Sequence, residues 1–569
     1  LLFTPHVNGA DNYRNLTNFE AVNQVHFILK TRFYSFLLLI FVIVTVGLGS
    51  WGLTESSEAR YAEISREMVK TGDYLHPRLL DIQHFHKPPL TYYITALGYN
   101  IFGINEFGAR FFLQVSLIIQ LLLVFKLAML LFKNEKIAFS SAAIYFTFPI
   151  VLIASRNLTT DSYLATTILG CIYAYAVYKI KSKTFYLYLC YFLMGLGFLN
   201  KGPVIILPVL AFTIPWKVIL KDKWKFSIHH LLGFLLFLLV SASWFILIIR
   251  EIPELWNYFI QKHTVDRALS AETFHRDKPF WYFIVLAPLV GLPWFIYTII
   301  LSVKKYKPTP ETERKFIKIL LWSSGIVFLM FSAFSSKLVL YILPIFPLLA
   351  VVGGFFLSES SQRLKKNFNI TYYVLFVLFI LALILLKLIG QIQLDVISII
   401  AIVVIAVLGL VLSIKFSTSA RSKLLALGVA FTTCVIAAFA FVGDQNPYLI
   451  NTTRDLAAEL ENGELENAEN IMVYDYMIPS TAFYLDRPII TVHEGNFNTN
   501  REVQFEQDSE YKKTYLNVNK PEDLRRFTDY LQGDKNVLIM RRKGNLPDSL
   551  QHYLSKYKVE EAGKWKIYY

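Results

Sequence analysis

Apolar residues run in long, nearly unbroken blocks through the first 440 or so positions, separated by short basic turns, and the pattern changes near Gly443. Blocks of this length cross about 30 Å of hydrocarbon as helix. Lipid leaves an open strand no way to pair its backbone, so the blocks are helices rather than sheet. Thirteen spans are predicted, near 33–53, 110–132, 137–155, 162–180, 184–200, 203–220, 231–250, 280–303, 316–335, 338–357, 370–389, 392–414 and 421–443. The stretch 89–103 is apolar but short and follows Pro88 and Pro89, which suits an interfacial or re-entrant helix. Beyond 443 the chain is polar. Strand-like runs at Ile471–Tyr474, Ile489–Val492, Val537–Met540 and Lys566–Tyr569 alternate with helical patterns, so residues 444–569 are expected to form an α/β domain behind a membrane domain, 1–443. The predicted fold class is a polytopic α-helical membrane protein with a C-terminal α/β domain.

Composition agrees: 55% of residues are hydrophobic and only 17% are charged, and the mean hydropathy is +0.45. The net charge of +14 would suggest nucleic acid in a soluble chain. Here the Lys and Arg residues concentrate in the turns at 133–136, 179–183, 217–225, 304–318, 363–366 and 415–423, which the positive-inside bias places in the cytoplasm with the N-terminus. An odd number of spans then puts the C-terminus and the α/β domain on the periplasmic side of an inner membrane. The first apolar run reads as a retained anchor. Cys171, Cys190 and Cys434 all fall in apolar runs and suggest neither a disulfide framework nor a thiolate site. No G-x-G-x-x-G or P-loop is present, so no nucleotide or nucleic-acid partner is expected.

In this topology the ionisable residues gather on the outer side, in two long loops, 54–109 and 251–279, and three short junctions. The first loop carries Glu55, Glu58, Arg60, Tyr61, Glu63, Arg66, His84, His86 and Lys87, and the second His263, Asp266, Arg267, His275, Arg276 and Asp277. The junctions hold Arg156 to Asp161, Asn200-Lys201-Gly202-Pro203, and Ser335-Ser336-Lys337 followed by Tyr341. Any one cluster is also explained as a solvated loop, and any one cation as snorkelling to head groups. Their collection on one face marks a site, because ionisable groups at a membrane are costly. Arg60, Arg66, Lys87, Lys201, Arg267 and Lys337 stand against the positive-inside bias, and phosphate or pyrophosphate is the natural partner for them. Glu55, Glu58 and Asp161 are candidates for a general base that takes a proton from an acceptor hydroxyl. Glu58 also suits the start of a helix, where its charge complements the dipole. His84, His86, His263 and His275 could hold a divalent metal together with a carboxylate.

The run E-A-R-Y-A-E-I-S-R-E-M at 58–68, G-D-Y-L-H-P-R-L at 72–79, H-K-P-P-L-T-Y-Y at 86–93 and G-I-N-E-F-G-A-R at 103–110 resembles the first outer loop of the bacterial 4-amino-4-deoxy-arabinose lipid A transferases. These sit with the protein O-mannosyltransferases in the GT-C class. The likeness continues in Thr160-Asp161, Lys201-Gly202-Pro203, the His263 to His275 region and Lys337 with Tyr341. The resemblance implies an inner-membrane enzyme that moves a sugar from a polyprenyl-phosphate donor, such as an undecaprenyl one, to lipid A or another envelope acceptor. It implies that Lys87 holds the carrier phosphate, that Arg60 and Tyr61 line the donor site, that Asp161 is an acidic site residue and that Tyr341 faces the lipid substrates. It places His86, His263 and His275 where some relatives bind zinc. Ser57-Glu58 stands where those transferases carry Asp-Glu, so either Glu58, Glu55 or Asp161 is the base or the acceptor is a different one. A protein O-glycosyltransferase of the same class and a non-enzymatic flippase for lipid-linked sugars are the rival readings.

Overall fold

The structure, a computed structural model, describes residues 31–223, 226–260, 278–306, 309–462, 465–506 and 510–569. Among the described residues nine helical runs are long and apolar enough to cross a membrane, and eleven if each of two bent pairs counts as one span. One bend, of 61°, separates Glu135–Phe146 from Pro149–Arg156; the other, of 101°, separates Tyr282–Val290 from the helix beginning at Trp294. Each falls at a proline, which lacks the N–H that would continue the helical ladder.

The run Thr184–Ile219 folds back on itself at Gly202, whose φ of 71° is a left-handed turn that glycine enters without strain. Trp216 near its end packs on Tyr175, 6.2 Å between ring centroids, and Lys179 pairs with Asp222 just past it. Both partners lie at the end where the preceding helix, Thr160–Lys181, finishes. This run therefore supplies two crossings. With it divided, every stretch expected from sequence as a span holds apolar helix, although the first, residues 31–45, is shorter than the expected 33–53, and two others are the bent pairs. The stretch expected to be interfacial is the separate short helix Leu90–Phe102. It lies tight on Glu106–Phe132, because a Cβ on Gly98 would fall 2.2 Å from the Gly108 carbonyl oxygen. The basic turns meet at the opposite end of the bundle, where Arg421 donates to the Lys136 carbonyl at 2.8 Å. Val339–Glu359 runs through the centre, whereas Gln362–Leu388 and Val396–Lys415 turn most of their apolar surface outward, as lipid-facing helices do.

The C-terminal domain is a six-stranded mixed sheet. Counting the small hairpin Arg78–Leu79 (β1) and Ile82–Gln83 (β2) in the first loop, its strands are β3 (Asn470–Tyr474), β4 (Ile490–His493), β5 (Tyr515–Asn517), β6 (Asn536–Arg541), β7 (Val559–Ala562) and β8 (Trp565–Tyr568), in the order β5-β4-β3-β6-β8-β7. The central pairs are parallel, and β8 runs antiparallel to β6 and β7. Both faces of β3 are buried, as in sheets covered on two sides. Met472 and Tyr474 pack with Phe527 and Leu531 of the domain's own helix Pro521–Gln532. On the other face Ile471 and Val473 share a core with Ile64, Met68, Leu79, Leu80 and Tyr92 of the first loop. The domain therefore completes its core on the membrane part. Polar clasps reinforce the seam: Lys70 reaches Asp486 at 2.6 Å, Arg66 bonds the same carboxylate, and the Tyr484 hydroxyl joins the Leu53 N–H (2.7 Å) to Glu106 (3.0 Å).

Candidate functional site

At that seam lies a cavity of about 410 Å³. Seven parts of the membrane domain contribute: the helix Ser57–Thr71 (Ser57, Arg60, Tyr61), the segment after β2 (His84, His86, Lys87), the helix Leu90–Phe102 (Tyr92), the start of Thr160–Lys181 (Thr160, Asp161), Lys201, Tyr258, and Tyr341. The C-terminal domain closes the other side with residues that follow β3 and β4, among them Asp475, Tyr476, Asn496, Arg501 and Glu502. Ligand crevices of parallel sheets form at these carboxyl ends of the strands.

The bundle holds the membrane-side groups in place. Thr159 caps Thr160–Lys181, which leaves Asp161 in its first turn, where a negative charge complements the helix dipole. Buried Asn200 donates to the Thr160 carbonyl (2.8 Å) and accepts from the Thr91 hydroxyl (2.6 Å), tying three helix ends together beside Lys201. The Lys201 ammonium bonds Asp161 Oδ1 at 2.5 Å and sits 4.5 Å from the centre of the Tyr341 ring. Tyr61 packs at a tilt against Tyr92, and burial, followed by the charge of Asp161, pushes its phenol up to about 12, so it stays neutral.

Glu58 and Glu55, both expected as possible bases, do not line this cavity. Glu58 points into the bundle, where Arg110 Nε and Nη2 donate to its two oxygens at 2.8 and 2.9 Å and the N–H groups of Thr54 and Leu158 add 2.9 and 3.1 Å bonds. Burial would raise its carboxyl, but the charge and bonds of Arg110 outweigh that and hold it below its ordinary value. Arg110, itself fully buried, also donates to the carbonyls of Leu48, Trp51 and Gly52 and lies 4.4 Å over the Trp51 ring. Glu58 is thus the counter-ion of a buried arginine. Glu55 instead faces the C-terminal domain, accepting from the Ser480 N–H (2.7 Å) and hydroxyl (2.6 Å), and burial pushes it up to about 7. Lys337 is a third departure. It is buried outside the cavity, with its ammonium on the Lys278 carbonyl at 2.8 Å. Arg267, His263 and His275 lie outside the described residues.

His86 is on the wall, and among the described residues the metal-capable side chains beside it are His84 and Glu502. The Nδ1 of His84, the Nε2 of His86 and a Glu502 oxygen all lie within 4.8 Å of one another. The two nitrogens stand 3.0 and 3.2 Å from Glu502 Oε2, yet none of the three atoms makes a well-directed hydrogen bond. Burial pushes both imidazoles down, so each is neutral with a lone pair open. The other oxygen of Glu502 accepts from the Arg501 guanidinium at 2.7 Å. Two neutral imidazoles and a carboxylate converging without bonding one another fit a divalent metal such as zinc. Tyr258 bonds the other nitrogen of His86, as partners of metal-bound histidines do.

A polytopic helical bundle with a polar cavity at one end, roofed by an α/β domain, is the GT-C type of fold. Solved structures share it. ArnT from Cupriavidus metallidurans bound to undecaprenyl phosphate superposes with a TM-score of 0.76 over 95% of this chain and 98% of that one, at 20% identity. The same protein in the apo state gives 0.75. In sequence, the family described as dolichyl-phosphate-mannose-protein mannosyltransferase matches residues 86–246. The chain is 30% identical over 347 residues to undecaprenyl phosphate-alpha-4-amino-4-deoxy-L-arabinose arabinosyl transferase 1 of Proteus mirabilis, covering 59% of this chain and 62% of that one. A transferase of the same description from Photorhabdus laumondii is 30% identical over 324 residues, 56% and 58% of the two chains. The matched stretch thus spans about three-fifths of these curated relatives. The chain resembles the aminoarabinose transferases, as its first loop suggests.

Proposed function

We propose that the protein is a membrane glycosyltransferase that moves a sugar from an undecaprenyl- or similar polyprenyl-phosphate carrier to lipid A or another envelope glycolipid, at the periplasmic face of the inner membrane. The observation that carries this reading is the single cavity in which Arg60, Lys87, Lys201 and Arg501 meet the carboxylate of Asp161. The cations suit the carrier phosphate, which leaves as the bond from sugar C1 to the phosphate oxygen breaks. The acceptor oxygen forms the new bond to C1, and its proton passes to Asp161. The polar groups meet at one end of the bundle, which favours an enzyme over a flippase. Purified protein in nanodiscs, given a synthetic polyprenyl-phosphate sugar and lipid A, is expected to transfer the sugar. Lys87→Ala is expected to bind the carrier about 10- to 150-fold more weakly, the worth of one charge-assisted contact. Unchanged carrier affinity would remove Lys87 from the phosphate site. The C-terminus belongs on the periplasmic side in this reading, and a fusion after Tyr569 active only in the cytoplasm would reverse the orientation.

The convergent His84, His86 and Glu502 are proposed to hold a zinc-like divalent ion. When bound, it would supply a structural clamp between the first loop and the C-terminal domain. Elemental analysis of protein purified without chelator is expected to find stoichiometric metal, and Glu502→Gln with His84→Ala is expected to lose it. Wild-type protein that stays metal-free after dialysis against zinc would sink this assignment.

A further inference from the structure

Three helix ends meet beside the cavity, and each carries a buried polar residue next in sequence to one that lines it. Thr160 precedes Asp161 at the start of Thr160–Lys181, Asn200 precedes Lys201 at the end of Thr184–Lys201, and Thr91 precedes Tyr92 at the start of Leu90–Phe102. Thr91, Thr160 and Asn200 are 0%, 2% and 0% exposed, so their polar groups must be served from within the protein. The Asn200 amide serves the other two. Its nitrogen donates to the Thr160 carbonyl at 2.8 Å, and its oxygen accepts the Thr91 hydroxyl at 2.6 Å. A carbonyl can only accept, so the amide nitrogen must face Thr160 and the oxygen is left for Thr91. An apolar side chain would fill the same space without the cost of burying an amide. What the amide adds is direction, because both bonds hold at only one setting of the three helices.

That setting bears on the pair formed by Asp161 and Lys201. The chain turns back at Gly202, so Lys201 is the last residue of its helix and no further turn of that helix holds it. Its ammonium nonetheless meets Asp161 Oδ1 at 2.5 Å and lies 4.5 Å from the centre of the Tyr341 ring. A lysine stem is long and flexible, so this contact depends on the separation of the two backbones. The bond from Asn200 to Thr160 fixes that separation one residue before each member of the pair. A turn earlier the same two helices lie in direct contact at Gly197, where a Cβ would fall 2.8 Å from Thr167 Oγ1. The end of one helix is thereby braced against the start of the other at two levels.

We propose that Asn200 is a positioning residue: by bolting the start of Thr160–Lys181 to the end of Thr184–Lys201, it holds the Asp161 carboxylate and the Lys201 ammonium in the relation from which Asp161 takes the acceptor's proton. This rests on the glycosyltransferase reading above. The test uses the full chain in nanodiscs with a synthetic polyprenyl-phosphate sugar, and measures single-turnover transfer and carrier binding on the same preparations. Asn200→Ala is expected to lower the transfer rate about 10- to 100-fold, as a displacement on the order of 1 Å at a reacting group does, with carrier affinity within a few-fold. A double-variant cycle separates positioning from a general loss of packing. Because Asn200 acts through Asp161, adding Asn200→Ala to Asp161→Asn is expected to cost no more than about twofold further, whereas added to Lys87→Ala at saturating carrier it is expected to show its full loss. Thr91→Val, which removes one hydroxyl and leaves the amide in place, is expected to show a smaller loss of the same kind, and Thr91→Ser to restore the rate. The same cycle on Thr91→Val decides the matter if Asn200→Ala does not fold. A wild-type rate in Asn200→Ala, or a loss that multiplies in full onto that of Asp161→Asn, would overturn this inference alone. Absence of transfer by the wild type would overturn the glycosyltransferase reading, and this inference with it.

Discussion

Glu58→Gln is expected to lower the stability of the folded protein by about 3–5 kcal/mol, the usual result of leaving one member of a buried ion pair uncompensated. Arg110 is fully buried, and Glu58 is its one carboxylate partner among the described residues. The three carbonyls around Arg110 can accept its N–H groups but cannot neutralise it. The neutral amide also turns an N–H₂ toward a site where the Thr54 and Leu158 N–H groups and Arg110 all donate, so it loses acceptors as well as charge. Thermal unfolding in detergent measures the loss. The double variant Glu58→Gln/Arg110→Leu is expected to recover part of it, since a coupled pair is not additive. Glu58→Gln protein of normal thermal stability with no transfer activity would contradict this account and return Glu58 to a role as base.

The division between Glu58 and its neighbours shows how far the sequence carries. Ser57, Arg60 and Tyr61 recur at three and four residues, so they share one face of the helix, and that face lines the cavity. Glu58 and Ala62 share another, which is buried. Periodicity could have separated the two faces, but not said which one met solvent. A readable hint lay in Arg110, a cation at the start of a span that required a counter-ion. The spans were legible because lipid enforces length and apolarity. Asp161, Lys201, Lys87 and Tyr341 were legible because polar residues stand out where apolar blocks end. Glu502, Asp475 and Arg501 were not, since charged residues are ordinary in a polar α/β domain and nothing local marks those that turn toward a membrane partner. Their position after β3 and β4 was the available signal. Lys337 also stands at a span end, yet it is outside the cavity lining and donates to the Lys278 carbonyl.

Asp161→Asn is expected to cost on the order of 10²–10⁴ in kcat, the usual worth of a general base. Of the three carboxylates considered from sequence, it alone lines the cavity, since Glu58 is locked to Arg110 and Glu55 to Ser480. Ser57 lines the cavity too, but an unactivated hydroxyl does not accept a proton at neutral pH, so Ser57→Ala is expected to stay within a few-fold of wild type. The amide in the Asp161→Asn variant would keep the helix-end position and the shape of the side chain while losing the charge that holds Lys201. A loss confined to kcat, with carrier affinity within a few-fold, would mark a group that acts in the transition state rather than in binding. Because Lys201 and Asp161 form one pair, Lys201→Met separates two roles. If Lys201 only orients Asp161, its loss falls on kcat; if it also holds phosphate, carrier affinity weakens as well. Single-turnover transfer from a synthetic polyprenyl-phosphate sugar, with carrier binding measured on the same preparations, reads both quantities. Full turnover by Asp161→Asn would remove the proposed base, and no other carboxylate paired with a cavity lysine stands ready among the described residues to replace it.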